Sequence, residues 1–96
     1  MDTSDDTIYV PGPRVAFRRI GEHVVLVNIE DNTMIRLNDT GSEIWAGMGE
    51  RTVTQLAERV CEAFDVEREQ ALADTREFLE MLRGRGLLEV QGEAGV

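Results

Sequence analysis

Ten residues near the middle of the chain, Arg36 to Trp45 (RLNDTGSEIW), separate two kinds of periodicity. Upstream, apolar residues recur at every second position; downstream, they recur at every third or fourth. A period of 2 places alternate side chains on opposite faces of a strand, and a period near 3.6 gathers them along one side of a helix. Strands first and helices afterwards, rather than in alternation, predict an α+β fold.

The upstream part contains three strand patterns. Pro11–Pro13 (PGP) is a stiff extended entry that cannot lie in a central strand. Arg14–Ile20 (RVAFRRI) alternates, with Val15 and Phe17 on one face and Arg14, Ala16 and Arg18 on the other. His23–Ile29 (HVVLVNI) is apolar on both faces, as in a strand covered on both sides. Thr33–Leu37 (TMIRL) alternates again. The short turns Gly21-Glu22 and Glu30-Asp31-Asn32 join these runs, which makes an antiparallel meander the simplest arrangement. The second strand is then central and the third lies at an edge.

Downstream, Thr40-Gly-Ser-Glu43 fits a capping box that would open a short helix carrying Ile44, Trp45 and Met48, closed by Gly47 and Gly49. Thr52-Val-Thr-Gln55 is a second capping box. Val53, Leu56, Ala57, Val60 and Phe64 then form an apolar stripe. Asp65 is the expected N-cap of a third helix, with Leu72, Thr75, Leu79 and Leu82 on one face and an end near Gly84 or Gly86. Leu87–Val90 adds a short closing strand. The predicted fold is winged helix-turn-helix-like, a three-stranded antiparallel meander followed by three helices. The expected organisation is a flexible N-terminal arm over residues 1–10, one domain over 11–90 and a flexible tail over 91–96.

Charge narrows the function classes. The 96 residues carry a formal net charge of −9, and all 10 basic residues are Arg. From Asn38 onward there are 13 carboxylates against 6 Arg, so the helical part repels phosphate and suits a partly basic peptide better than nucleic acid. The single cysteine, Cys61, precludes an internal disulfide, and one His with one Cys cannot build an ordinary closed zinc site. The start MDTSDDTIYV lacks the basic segment of a signal peptide, and no apolar run approaches a membrane span. A cytoplasmic protein without metal or cofactor is expected.

RLNDTGSEIW, RTVTQLAERV (Arg51–Val60) and DTREFLEMLRGRGLL (Asp74–Leu88) stand in an order and at separations that resemble the PqqD-like domains, the RiPP recognition elements. The resemblance covers Pro11 to Val90. It departs at Thr75, where the family often has Val, and at GMGERT, where a D-G turn is common. The resemblance implies a non-catalytic protein that binds the leader segment of a ribosomally made precursor peptide and presents it to a modifying enzyme. The leader would add to the third strand and lie against the third helix. The Asn-Asp-Thr-Gly with Ile-Trp form is similar to lasso-peptide systems, in which the partner is a leader peptidase. Other members serve radical-SAM enzymes, including the pyrroloquinoline quinone pathway.

The residues themselves point to the same place. An edge strand with one charge and no Pro must be covered or used, and strand addition is a general mode of peptide recognition. Thr33, Met34, Ile35, Arg36 and Leu37 are therefore the candidate edge. Asp74, Phe78, Met81 and Arg85 form a second stripe on the third helix, beside its core stripe. There Phe78 and Met81 would supply apolar contact, and Asp74 and Arg85 would meet charges at opposite ends of the peptide. Each backbone bond nets roughly 0.5–1.5 kcal/mol, and micromolar affinity needs about 8 kcal/mol, so side-chain pockets must contribute. The Arg36–Trp45 junction would fix the edge against the helical layer, with Trp45 as a buried peg.

Blander readings stand beside these. Phe78 and Met81 also suit plain helix packing, and the edge would serve equally as a seat for the N-terminal arm or a second copy. Cys61 reads as a structural thiol, His23 lacks an acid–base partner in sequence, and the helical carboxylates read as solvated faces. No residues are assigned to catalysis. The rivals from other classes are a winged-helix DNA-binding regulator and an acidic adaptor that only dimerises. The first needs Glu67–Arg83 as recognition helix, and acids run throughout that segment.

Overall fold

The computed structural model describes residues 6–91. The strands are β1 (Tyr9–Pro11), β2 (Val15–Ile20), β3 (His23–Asn28) and β4 (Met34–Arg36). The helices α1 (Asp39–Gly47), α2 (Val53–Phe64) and α3 (Arg68–Gly84) follow, and β5 (Leu88–Val90) closes the chain. β2, β3 and β4 form an antiparallel meander with β3 central, while β1 and β5 pair antiparallel as a separate two-stranded sheet. The fold is α+β, with the meander and three helices that the two periodicities predict.

The end of the segment expected to be a flexible arm is ordered. Tyr9 is fully buried and its hydroxyl donates to Glu80 Oε2 on α3 at 2.8 Å. Val10 pairs with Glu89, and Val53 N–H donates to Thr7 O at 3.0 Å. Residues 7–10 therefore belong to the folded part, because a large aromatic side chain finds both a core site and a polar partner. Residues 1–5 and 92–96, assigned to the arm and tail, lie outside the described residues.

Two helix starts differ from expectation. Asn38, not Thr40, caps α1: its Oδ1 accepts from Gly41 N–H at 2.8 Å. The helix thus begins two residues earlier than a Thr40 capping box requires. Asp65 terminates α2 in the left-handed conformation instead of opening α3, whose N-cap Glu67 makes no side-chain capping bond. Asp is among the few non-glycine residues that visit this region routinely, so the same residue type serves either end of a helix. The Thr52–Gln55 capping box is present as expected.

The core gathers Val24 and Leu26 of β3, Leu37, Ile44 and Trp45 of the junction, and Val53, Leu56, Ala57 and Val60 of α2. From α3 it takes Ala71, Thr75, Leu79 and Leu82. Leu72 is only half-buried, so Ala71 holds the place the sequence suggested for it. Phe64 is exposed, because the last turn of α2 runs past the core. Cys61 packs half-buried against the cluster.

β3 is covered on one face only. Val24 and Leu26 point to the helices and are buried, while Val25 and Val27 are half-buried on the other face. A run apolar on both sides predicts a doubly covered strand; the assembled layers instead leave one apolar side open.

Candidate functional site

The β4–α1 junction is held by Ser42. Its Oγ accepts from Val24 N–H at 3.0 Å and its hydroxyl lies 3.4 Å from Leu37 O. One buried hydroxyl thus stitches the first turn of α1 to the start of β3 and to the residue after β4. Trp45, 6% exposed, stands edge-on to Phe17 of β2, with ring centroids 5.3 Å apart. Sheet and α1 are locked on both sides of the junction, which fixes where β4 lies relative to the helices.

β4 is paired on one side only among the described residues. Leu37 N–H donates to Val24 O at 2.8 Å, and Asn28 N–H donates to Thr33 O at 2.9 Å. In an antiparallel ladder, residues that bond across the pair alternate with residues that do not. Thr33, Ile35 and Leu37 therefore turn backbone groups toward β3, and Met34 and Arg36 turn theirs to the open edge. The edge offers two N–H donors and two C=O acceptors. Side chains alternate in the same step: Ile35, registered with buried Leu26, points inward, and Met34 and Arg36, registered with Val27 and Val25, point to the outer face.

Just past β4, starting at Asn38, lies a groove of about 430 Å³ between the first turn of α1 and the middle of α3. Asn38, Thr40, Gly41 and Ile44 line one wall, and Asp74, Glu77, Phe78 and Met81 the other. Phe78 is half-buried against the core and Met81 is 40% exposed, so this wall is partly open and sets two apolar side chains beside two carboxylates. Gly41 permits the close approach: a Cβ there would sit 2.9 Å from Phe78 Cε1. A second hollow of about 240 Å³, lined by Asn28, Asp31, Thr33, Ile35, Arg85 and Leu87, lies at the other end of β4.

The two ends differ in charge. Asp74, whose Oδ1 accepts from Gln70 Nε2 at 2.8 Å, stands with Glu77 at the α1 end, and Arg85 stands with Asp31 at the other. His23 Nε2 is 2.9 Å from Asp39 Oδ1, and Arg36 Nη2 is 3.4 Å from His23 Nδ1. The Thr33 hydroxyl and the Thr33 N–H hold the Asp31 carboxyl below its ordinary range, and that N–H is 2.9 Å from Asp31 Oδ1. This bond sets the turn that delivers the chain into β4. Among the described residues, no three His, Cys, Asp or Glu side chains converge as a metal site, and no helix is long and apolar enough to cross a membrane.

The structure thus brings Asp74, Phe78 and Met81 together, and joins Thr33, Ile35 and Arg85 in the second hollow. Met34 and Arg36 contribute backbone to the edge but not side chains to the groove. Leu37 belongs elsewhere: it is 3% exposed, part of the core, and its N–H is already bonded to β3. Sequence reading missed Asn38, Thr40, Gly41 and Ile44 as groove wall. The available signal was the NDTG run itself, whose cap and glycine are what allow α1 to begin beside α3.

Residues 23–88 match the family described as Coenzyme PQQ synthesis protein D (PqqD). No curated protein matches the chain. Two solved structures are similar. The structure "TbiB1 in Complex with the TbiA(beta) Leader Peptide" is 27% identical, with a TM-score of 0.75, over 88% of this chain and 96% of that one. "Lasso peptide synthetase B1 complexed with the leader peptide" is 20% identical, with a TM-score of 0.71, over 84% of this chain and 96% of that one, a likeness of fold. With well over half of its length matched, and with the meander and three helices in the expected order, the chain belongs to the PqqD family.

Proposed function

We propose that this protein is a binding module, not an enzyme, for the leader segment of a ribosomally synthesised precursor peptide. The leader adds as a strand to β4, places an apolar side chain against Phe78 and Met81, and is presented to a modifying enzyme or leader peptidase. The observation that carries the reading is the conjunction of an open backbone edge at Met34 and Arg36 with a groove just past β4 that offers Phe78 and Met81 beside two carboxylates. Backbone bonds supply register and the groove supplies selectivity, the usual division in strand addition. Asp74 and Glu77 favour a basic leader residue at the α1 end, and Arg85, with Asp31 in the same hollow, meets a polar one at the other. The leader peptide bound to TbiB1, 27% identical, supports leader binding; the lasso-peptide branch is favoured over a radical-SAM chaperone by the Asn-Asp-Thr-Gly with Ile-Trp form of residues 38–45.

The test is fluorescence anisotropy with a labelled leader from the adjacent precursor gene, beside a scrambled peptide and a short DNA duplex. Met34→Pro removes an N–H that faces the open edge and leaves the β3–β4 ladder intact, so it separates binding from folding. Saturable binding of the leader alone, weakened at least tenfold by Met34→Pro at an unchanged circular dichroism spectrum, is the expected result. Salt-sensitive duplex binding without leader binding would overturn the reading in favour of a DNA-binding winged helix.

A further inference from the structure

The outer face of the meander, turned away from the helices, is apolar and open. Ile20 is 57% exposed and Met34 68% exposed, with half-buried Val25 and Val27 between them and Ala16 beside them. Together with Arg18 these residues line a shallow hollow of about 350 Å³. The register sets Arg18 and Arg36 on either side of Val25, directly across the strands. No carboxylate lies on this face of the three strands: its registered residues are Ala16, Arg18, Ile20, His23, Val25, Val27, Met34 and Arg36. A protein of net charge −9 thus keeps an apolar strand face carrying two arginines, approached by an acid only at its His23 end, where Asp39 of α1 stands 2.9 Å from the imidazole.

We propose that this face docks the enzyme that acts on the bound leader, through an apolar element of that enzyme flanked by carboxylates. The inference rests on the leader-binding reading for the enzyme's identity. Charge complementarity gives the partner's chemistry: acids would meet Arg18 and Arg36 while apolar side chains cover Ile20, Val25 and Val27. Continuity gives its place. A strand added at β4 extends this same sheet, so every second leader side chain would lie on the outer face next to Met34 and Arg36. An enzyme seated there touches binder and leader at once, and loading the leader widens its platform.

A second copy of the chain fits this face less well. Two copies would oppose Arg18 and Arg36 to themselves. Strands about 4.8 Å apart, two of them roughly 20 Å long and β4 roughly 10 Å, present a footprint of roughly 240 Å², against about 800 Å² per partner in a standard stable interface. A small face with matched charge suits a transient enzyme encounter, completed by the leader.

Biolayer interferometry tests the proposal, with the purified enzyme encoded beside the precursor gene as probe. Wild type, Arg18→Glu and Ile20→Ser are compared, with and without leader. Both positions are exposed and outside the groove, so melting temperature and leader anisotropy should match wild type. The expected result is at least tenfold weaker enzyme binding by each variant, and tighter wild-type binding once the leader is loaded. Equal enzyme affinity across the three proteins, or no enzyme binding by wild type, overturns the proposal. So does a wild-type dimer in sedimentation that both substitutions dissolve. The readings fail separately: face-dependent enzyme binding without any leader binding sinks strand addition alone, and leader binding with no effect of Arg18 or Ile20 sinks the docking face alone.

Discussion

Thr75 is fully buried on the inner stripe of α3, and its Oγ1 makes no hydrogen bond. A buried helical Thr usually returns its hydroxyl to a carbonyl one turn back; this one does not. Burying an unpartnered hydroxyl costs about 1–3 kcal/mol. Val has nearly the same shape, the same branching at Cβ and a similar helix propensity. Thr75→Val therefore removes the desolvation cost without opening a cavity, and a gain of about 1–2 kcal/mol is expected. For a domain of this size each kcal/mol moves the melting temperature by about 4–8 °C. The assay is urea denaturation beside a thermal scan, in which a higher midpoint at unchanged slope identifies a true stability change. Thr75→Ser is the control: it keeps the hydroxyl, loses one methyl, and should cost about 1 kcal/mol. A Thr75→Val protein no more stable than wild type, at equal slope, would refute the reasoning and place a partner on Oγ1 in solution.

Three further outcomes follow from the same packing. Trp45→Ala should lower stability by about 3–5 kcal/mol, as large aromatic deletions do; a melting temperature within a degree or two of wild type would show that the peg is not a peg. Ser42→Ala strands the buried Val24 N–H and should cost about 1–3 kcal/mol, and hydrogen exchange should show Val24 losing protection more than Val25 or Leu26. The Asp31 carboxyl, held down by Thr33, should titrate by NMR with a midpoint below its ordinary 3.8. With a folded pKa below the unfolded one, whatever it adds to the β3–β4 turn is present above the unfolded value and is lost as pH falls through the folded one. The Thr33 amide shift should hence be flat from pH 7 to 5 and move only below that; a midpoint above 3.8 contradicts the turn described here.

Much of this molecule is determined by local pattern. Alternation in VAFRRI and HVVLVN, the Thr52–Gln55 box and the spacing of Val53, Leu56, Ala57 and Val60 are short-range signals. A backbone period and a cap each involve residues within a turn or two of one another, so β2, β3, α2 and their order could be read directly. The stripe Asp74, Phe78 and Met81 was legible for the same reason, since residues three and four apart share a helix face. Tertiary structure decided what local pattern leaves degenerate. Asp65 and Asn38 have side chains that suit more than one capping position, and the packing of α1 and α3 settled which. Tyr9 looked like part of a polar arm until Glu80, 71 positions away, supplied its partner. Leu37 and Met34 occupy one short strand with opposite fates, because the ladder to β3 determines which backbone groups remain free. The open outer face of β3 could not be read at all: an apolar run records that both sides of a strand avoid water, and only the assembled layers show that the chain itself covers one.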